Sequence, residues 1–251
     1  MTQQSSATSA VGNPEQPEKS NKLSKSNRPA KNLYEPYDTP LWIWVSLRLV
    51  ARFIFFLILN VRLVGYQNIP KEGAFMIASN HLSWMDVPLV PAYIKRKVVY
   101  MAKEELFYSK VGWLVRLLGA FPVKRGAADR QSLRAAEQQL KAGKIFIIFP
   151  EGTRSKNHQL AQAHVGLGMI ALRSGVPVIP VAVWGSEYAL KKFRPRVTIS
   201  YGEPMLLAPK GRKITREDID DATTQVMRHI AAMMPPQYRG MYGDELSEPN
   251  T

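Results

Sequence analysis

Beyond Gly65 the chain alternates short apolar runs with amphipathic stretches, and that alternation restricts it to helices layered on a sheet. The runs 74–78, 98–102, 145–149, 178–184 and 197–201 have strand length, and a shorter one lies near 121–123. Between and after them, 87–94, 106–118, 129–142, 166–173 and 217–233 carry helical spacing. Asp129 stands where an N-cap belongs, and Gly143 and Gly175 stand where a helix stops and a strand follows. The expected fold over 65–236 is α/β, a mixed sheet flanked by helices. A chain of 251 residues, 45% of them hydrophobic, can bury one sizeable core with a small accessory element.

That domain is preceded by a different kind of segment. Residues 1–32 are mostly Ser, Gln, Asn, Pro and Lys and read as a disordered tail; 237–251 read as a polar C-terminal tail. Residues 33–64 read as a membrane-associating helical segment, because 41–64 is an apolar run that spans about 36 Å as a helix. No signal peptide is expected, since the first apolar run begins only at Leu41. Arg48 and Arg52 lie four apart in its middle, and each adds about 3 kcal/mol to insertion at a bilayer centre. A helix or helical hairpin in the interface, with Trp42 and Trp44 at headgroup level and Arg62 snorkelling, fits the pattern best. A helix packed on the domain and a membrane span both stay open.

The formal net charge is +14, and residues 41–236 carry it, with 28 basic against 13 acidic side chains. Such a surface favours anionic partners. The chain has no cysteine, which excludes disulfides, thiolate zinc sites, iron–sulfur clusters and a thioester intermediate on the enzyme. Four histidines without metal spacing give no metal site, and no cofactor is expected. No helix-turn-helix, zinc-finger or aromatic RNA-binding signature accompanies the charge, so nucleic acid is not the expected partner. Charge alone supports only a rival reading, a basic binding protein without catalysis.

Two polar motifs sit at expected strand ends, where open α/β sheets place their sites. The first is Asn80-His81-Leu82-Ser83-Trp84-Met85-Asp86. On a continuous helix His81 and Asp86 diverge by about 140°, so contact between them requires a turn ahead of the helix. With that turn, His81 suits a general base on a hydroxyl, and Asp86 suits the group that fixes its tautomer and stabilises the imidazolium. The same residues also suit a structural role, Ser83 and Asp86 as a capping-box-like pair and His81 as a loop residue. The second motif is Phe149-Pro150-Glu151-Gly152-Thr153-Arg154-Ser155. Gly152 admits backbone amides to an anion, Thr153 and Ser155 carry hydroxyl donors, and Arg154 carries a fork for phosphate or carboxylate. An ordinary turn with Arg154 paired to Glu151 is the alternative. Gly-x-Ser-x-Gly is absent, which argues against a nucleophile-elbow serine hydrolase.

The two motifs together resemble those of the membrane-associated glycerolipid acyltransferases, in particular the 1-acyl-sn-glycerol-3-phosphate acyltransferases, with Asn-His-x-x-x-x-Asp at 80–86 and Glu-Gly-Thr-Arg at 151–154. Two further family motifs look like Gly119-Ala120-Phe121-Pro122-Val123-Lys124-Arg125 and Val176-Pro177-Val178-Ile179-Pro180-Val181. Four motifs in order over about 65–205 are more specific than any one. The resemblance implies acyl transfer from an acyl thioester, acyl-CoA or acyl-carrier protein, to the free hydroxyl of lysophosphatidate, without a covalent acyl-enzyme. It implies His81 as base, Asp86 as its orienting group, and Arg154, Arg125 and Lys103 on the acceptor phosphate. Glu151 would steady the loop Gly152–Thr153–Arg154 or the glycerol. It also implies a membrane-associated enzyme on an anionic surface, at the cytoplasmic face of the cell membrane. Relatives acting on glycerol 3-phosphate, another lysophospholipid or a glycosylated lipid share these motifs. Many relatives carry Phe-Lys-x-Gly after the third motif, where Ala163-His164-Val165-Gly166 stands here; His164 reads as a helix cap.

Overall fold

The computed structural model describes residues 35–123 and 130–243. Seven strands form one sheet: β1 (Asn60–Val64), β2 (Phe75–Ser79), β3 (Val98–Lys103), β4 (Ala120–Val123), β5 (Ile145–Ile148), β6 (Val178–Trp184) and β7 (Arg196–Tyr201), in the order β1-β7-β6-β2-β5-β3-β4. From β6 across to β4 all neighbours are parallel; β7 runs antiparallel to β6, and β1 runs parallel to β7. The expected mixed α/β sheet is therefore what forms. All five expected helical stretches carry helix, and all six expected strands are present within a residue or so of their expected bounds.

Helices cover both faces because successive strand residues point opposite ways. On β2, Phe75 and Ile77 join the core beneath α1 (Leu41–Ile58) and α2 (Asp86–Ala92), whereas Met76 and Ala78 join the core beneath α4 (Arg130–Lys141), α5 (Gly166–Ser174) and α6 (Arg216–Met233). A strand buried on both sides reads as an unbroken apolar run, as β2 and β6 do. Helix ends follow local chemistry. Gly143, at φ 80°, closes α4: its N–H donates to Leu140 O and that of Lys144 to Gln139 O, satisfying two terminal carbonyls. Thr215 and Asp218 cap α6 reciprocally. The expected N-cap Asp129 lies outside the described residues, as do 1–34 and 244–251.

Three expected element boundaries need correction. The apolar run 41–64 is not one helical segment, since α1 ends at Ile58 and Asn60 begins an edge strand held from its first amide by Pro195 O at 3.0 Å. Asn60, Arg62 and Val64 are exposed while Val61 and Leu63 turn inward, a two-residue period hidden within the apolar run. The expected helix 106–118 is split into a 3-10 turn (Glu104–Tyr108) and α3 (Gly112–Leu117). The chain folds back so tightly there that a Cβ on Gly112 would lie 2.3 Å from Phe107 O. Finally, a polar tail does not begin at 237: Tyr242 is buried, the Tyr238 hydroxyl donates to Glu187 Oε1 at 2.7 Å, and the amide of Leu160 donates to Tyr238 O.

Helix α1 packs on α2 and β1. Its Arg52 guanidinium lies over the Tyr93 ring at 5.3 Å, and Arg48 Nε is buried, so the two arginines face the domain. Leu41, Trp42, Leu49, Val50, Phe53 and Phe56 are among the large apolar side chains left in solvent. With a mean hydropathy of 2.0 and 11% of it buried, α1 is long and apolar enough to cross a membrane. Trp44, expected at headgroup level, is buried under α1 instead.

Candidate active site

The C-terminal ends of β2, β5, β3 and β6 share one edge of the sheet, and both motifs emerge there. The first residue past β2 is Asn80, fully buried. Its side-chain amide donates to Val183 O at 2.8 Å and accepts from Val183 N at 2.7 Å. It thereby replaces a rung of the ladder just where the chain leaves the sheet, and fixes where His81 begins.

Residues 82–85 then form the turn that the His81–Asp86 spacing demanded. The imidazole Nδ1 lies 3.1 Å from Asp86 Oδ2, and the same oxygen accepts from the amides of Leu82 and Ser83, each at 2.7 Å. Asp86 is wholly buried at the start of α2. One carboxylate oxygen thus receives both the Ser83 amide and the imidazole, although the expected Ser83–Asp86 capping box does not form: the N-cap of α2 is Met85, without a side-chain cap. An Nδ1–H aimed at a carboxylate leaves Nε2 as the basic nitrogen. The ring rests on Phe149 with centroids 4.5 Å apart, and its side chain is 12% exposed.

The second motif grips the first. Glu151 is 2% exposed; its Oε1 accepts from His81 N at 2.8 Å and its Oε2 from Ala161 N at 3.0 Å. In return the Ser155 amide donates to His81 O at 2.8 Å. Both backbone polar groups of the histidine are therefore held by the loop 149–155. Burial pushes the Glu151 carboxyl above its ordinary value, and the two backbone amides oppose that push only in part. The ordinary turn expected as the alternative would pair Arg154 with Glu151. That pair does not form. Arg154 and Thr153 are exposed, and neither makes a hydrogen bond or ion pair to another described residue. Arg154 thus stands exposed one residue from the amide bonded to His81.

Gly152 adopts φ 64°, and a Cβ there would come within 2.8 Å of the His164 ring. His164 does not cap a helix with its side chain: α5 follows Val165 without a side-chain cap, and the ring lies over Gly152. Ser155 Oγ donates to Asn157 Oδ1 at 2.9 Å and accepts from Gln159 N, so that hydroxyl braces its own loop and is not free for a ligand.

The model of the family described as Acyltransferase matches residues 60–184. A 1-acyl-sn-glycerol-3-phosphate acyltransferase of Bacillus subtilis is 32% identical over 174 residues, covering 68% of this chain and 86% of that protein. The chain is a member of the acyltransferase family. The crystal structure of the 1-acyl-sn-glycerophosphate acyltransferase PlsC from Thermotoga maritima matches this acyltransferase with a TM-score of 0.61 and 31% identity, over 76% of this chain and 80% of that one. A lyso-ornithine lipid O-acyltransferase of Pseudomonas aeruginosa is 34% identical over 151 residues, 59% of this chain and 55% of that protein.

Of the remaining expected site residues, Lys103 ends β3 on the same edge as His81, two strands away, and pairs with Glu105 at 2.8 Å. Arg125 lies outside the described residues. Among the described residues no three His, Cys, Asp or Glu side chains are placed to hold a metal ion. Sequence reasoning placed Asn80 and Phe149 in the two motifs without giving either a role, and it assigned no part to Tyr238 and Tyr242 of the acyltransferase. The last two brace the stretch beyond Glu151, Tyr238 through the Leu160 amide and Tyr242 through that of Ala163 at 3.3 Å. Only the position of Asn80, a short polar residue directly after an apolar run, offered a signal.

Proposed function

We propose that this acyltransferase moves an acyl chain from acyl-CoA or acyl-carrier protein to the free hydroxyl of 1-acylglycerol 3-phosphate, giving phosphatidic acid in phospholipid synthesis. The observation that carries the reading is the oriented imidazole of His81 beside an uncommitted Arg154. His81 Nε2 takes the hydroxyl proton as the oxygen attacks the thioester carbonyl. The new C–O bond forms, the C–S bond breaks, and the imidazolium returns its proton to the departing thiolate. Asp86 fixes the tautomer and offsets the positive charge on the ring. Arg154 grips the acceptor phosphate with its planar fork, and Lys103 and Arg125 add charge. Glu151 acts on the loop and not on the glycerol, because both of its oxygens are taken by backbone amides. Helix α1 brings the enzyme to an anionic membrane at its cytoplasmic face, lying in the interface with its arginines turned to the domain.

Purified full-length protein, supplied with a radiolabelled acyl thioester and a panel of acceptors, tests this. Lysophosphatidate should be the preferred acceptor, and His81→Ala should abolish turnover while the melting temperature holds. Arg154→Ala should raise the KM for lysophosphatidate by roughly thirty- to a thousandfold, the cost of about 2–4 kcal/mol for a charge-assisted pair in a partly dry site. The KM for the donor should stay level, and Arg154→Lys should recover part of the loss. Preference for an acceptor without phosphate, such as a lyso-ornithine lipid, would overturn the substrate assignment. A folded, active His81→Ala would overturn the mechanism.

A further inference from the structure

The loop joining β6 to β7 carries Tyr-Ala-Leu-Lys-Lys-Phe-Arg-Pro-Arg over 188–196, with no acidic residue. Phe193 is 94% exposed and Leu190 71%, yet neither serves the sheet or the His81 site. Lys191, Lys192, Arg194 and Arg196 surround them, all exposed, and no carboxylate among the described residues pairs with them. Arg194 is held at φ 45°, a left-handed conformation that a non-glycine residue adopts at a cost. What holds it is α1: its guanidinium donates to Phe56 O at 3.1 Å and lies 5.5 Å over the Phe56 ring. The loop is thus joined to the last turns of the apolar helix, where Phe53, Phe56 and Leu57 are themselves exposed. Because β7 runs antiparallel to β6, the loop also lies on the sheet edge from which His81 emerges.

We infer that 188–194 is a second membrane contact, in which Leu190 and Phe193 enter an anionic lipid surface while Lys191, Lys192 and Arg194 meet its headgroups. The occupant is a bilayer because the loop pairs exposed apolar tips with uncompensated cations and continues the apolar face of α1. Each cation near such a surface strengthens binding about fivefold. Two contacts, one at α1 and one at this loop, fix the tilt of the domain, so that the His81 edge faces the lipid that delivers the acceptor. The inference rests on the reading of α1 as a membrane-contacting helix, and its test separates the two.

The chain has no cysteine, so single thiols can be introduced and labelled with an environment-sensitive fluorophore in the full-length protein. Phe193→Cys reports on the loop, Phe53→Cys on α1, and Leu206→Cys, 72% exposed beside the start of β6 on the opposite edge, is the control. On adding phosphatidylcholine vesicles containing phosphatidylglycerol, the probes at 53 and 193 should shift to the blue and be quenched by spin-labelled lipid, and the probe at 206 should not. Lys191→Glu with Lys192→Glu should weaken vesicle binding by more than about tenfold at low salt. A response at 53 without one at 193 overturns the loop contact and leaves α1 standing; silence at both positions overturns the membrane reading of α1 as well. A response at 193 to an acidic carrier protein but not to vesicles also overturns the inference, in favour of a donor-docking loop.

Discussion

Replacing Glu151 by Gln separates two roles that a buried carboxylate can have. The carboxylate accepts one backbone amide on each oxygen, from His81 and from Ala161. Glutamine keeps one acceptor, and its NH2 group meets the second amide donor to donor. A hydrogen bond to a charged acceptor contributes about 1.5–3 kcal/mol, so the clamp on His81 loosens by up to that amount. Burial acts in the opposite direction. The carboxyl is pushed above its ordinary value, so the native state binds more protons than the unfolded chain, and stability falls as pH rises from the usual carboxylate range through the raised value. Ionised Glu151 therefore favours the fold less than its protonated form does; glutamine removes the charge but sets its NH2 group against one buried backbone N–H. The expected outcome is a kcat reduced about ten- to a hundredfold for every acceptor, KM values nearly unchanged, and a melting temperature at neutral pH within a few degrees of the parent's, since the removed charge and the lost acceptor act in opposite directions. Between the ordinary and the raised carboxylate values the parent should lose stability with rising pH relative to the variant. Steady-state kinetics with lysophosphatidate and with an uncharged monoacylglycerol, together with thermal melts from acid to neutral pH, measure all three. A raised acceptor KM at constant kcat would refute the reasoning by placing Glu151 on the ligand. A melting temperature lower by many degrees would refute the proton linkage.

Asp86→Asn should keep the fold, since an amide oxygen can still accept the Leu82 and Ser83 amides, but should cut kcat by about a thousandfold or more by leaving the imidazolium without a counter-charge. Asn80→Ala should destabilise the protein by about 2–4 kcal/mol in denaturant titrations, because it strands both the N–H and the C=O of buried Val183. Tyr238→Phe removes the donor to Glu187 Oε1, whose other oxygen has no partner; it should cost about 1–2 kcal/mol and raise the protease sensitivity of 156–165 more than it lowers kcat.

The parallel core was legible because strands buried on both faces leave unbroken apolar runs, as in β2 and β6, and because Gly143 marks its helix stop chemically. Edge strand β1 was not, since Leu59 continues the apolar run and the helix ends there with no glycine or proline to announce it. At the site, the His81–Asp86 contact followed from spacing once a turn was required. The Glu151 clamp did not, because its partners are backbone amides, which every residue possesses and no sequence distinguishes. The same blindness applied to Asn80, whose partner Val183 lies 103 positions away and contributes no side chain to the bond. Loop bracing by Tyr238 was hidden by its setting in a polar, proline-containing stretch.

The reversal of direction between β6 and β7 decides which rim of the sheet the end of α1 shares. In an all-parallel sheet a crossover would deliver β7, and β1 beside it, from the far edge, and α1 would end remote from the chemistry. Here a hairpin-like return starts β7 on the His81 edge, β1 runs alongside it, and the last turn of α1 is drawn to the same rim. One inverted strand pair thus acts as a compass, setting the exposed apolar end of α1 on the same rim as the His81 imidazole, and no linker length has to be tuned to achieve it.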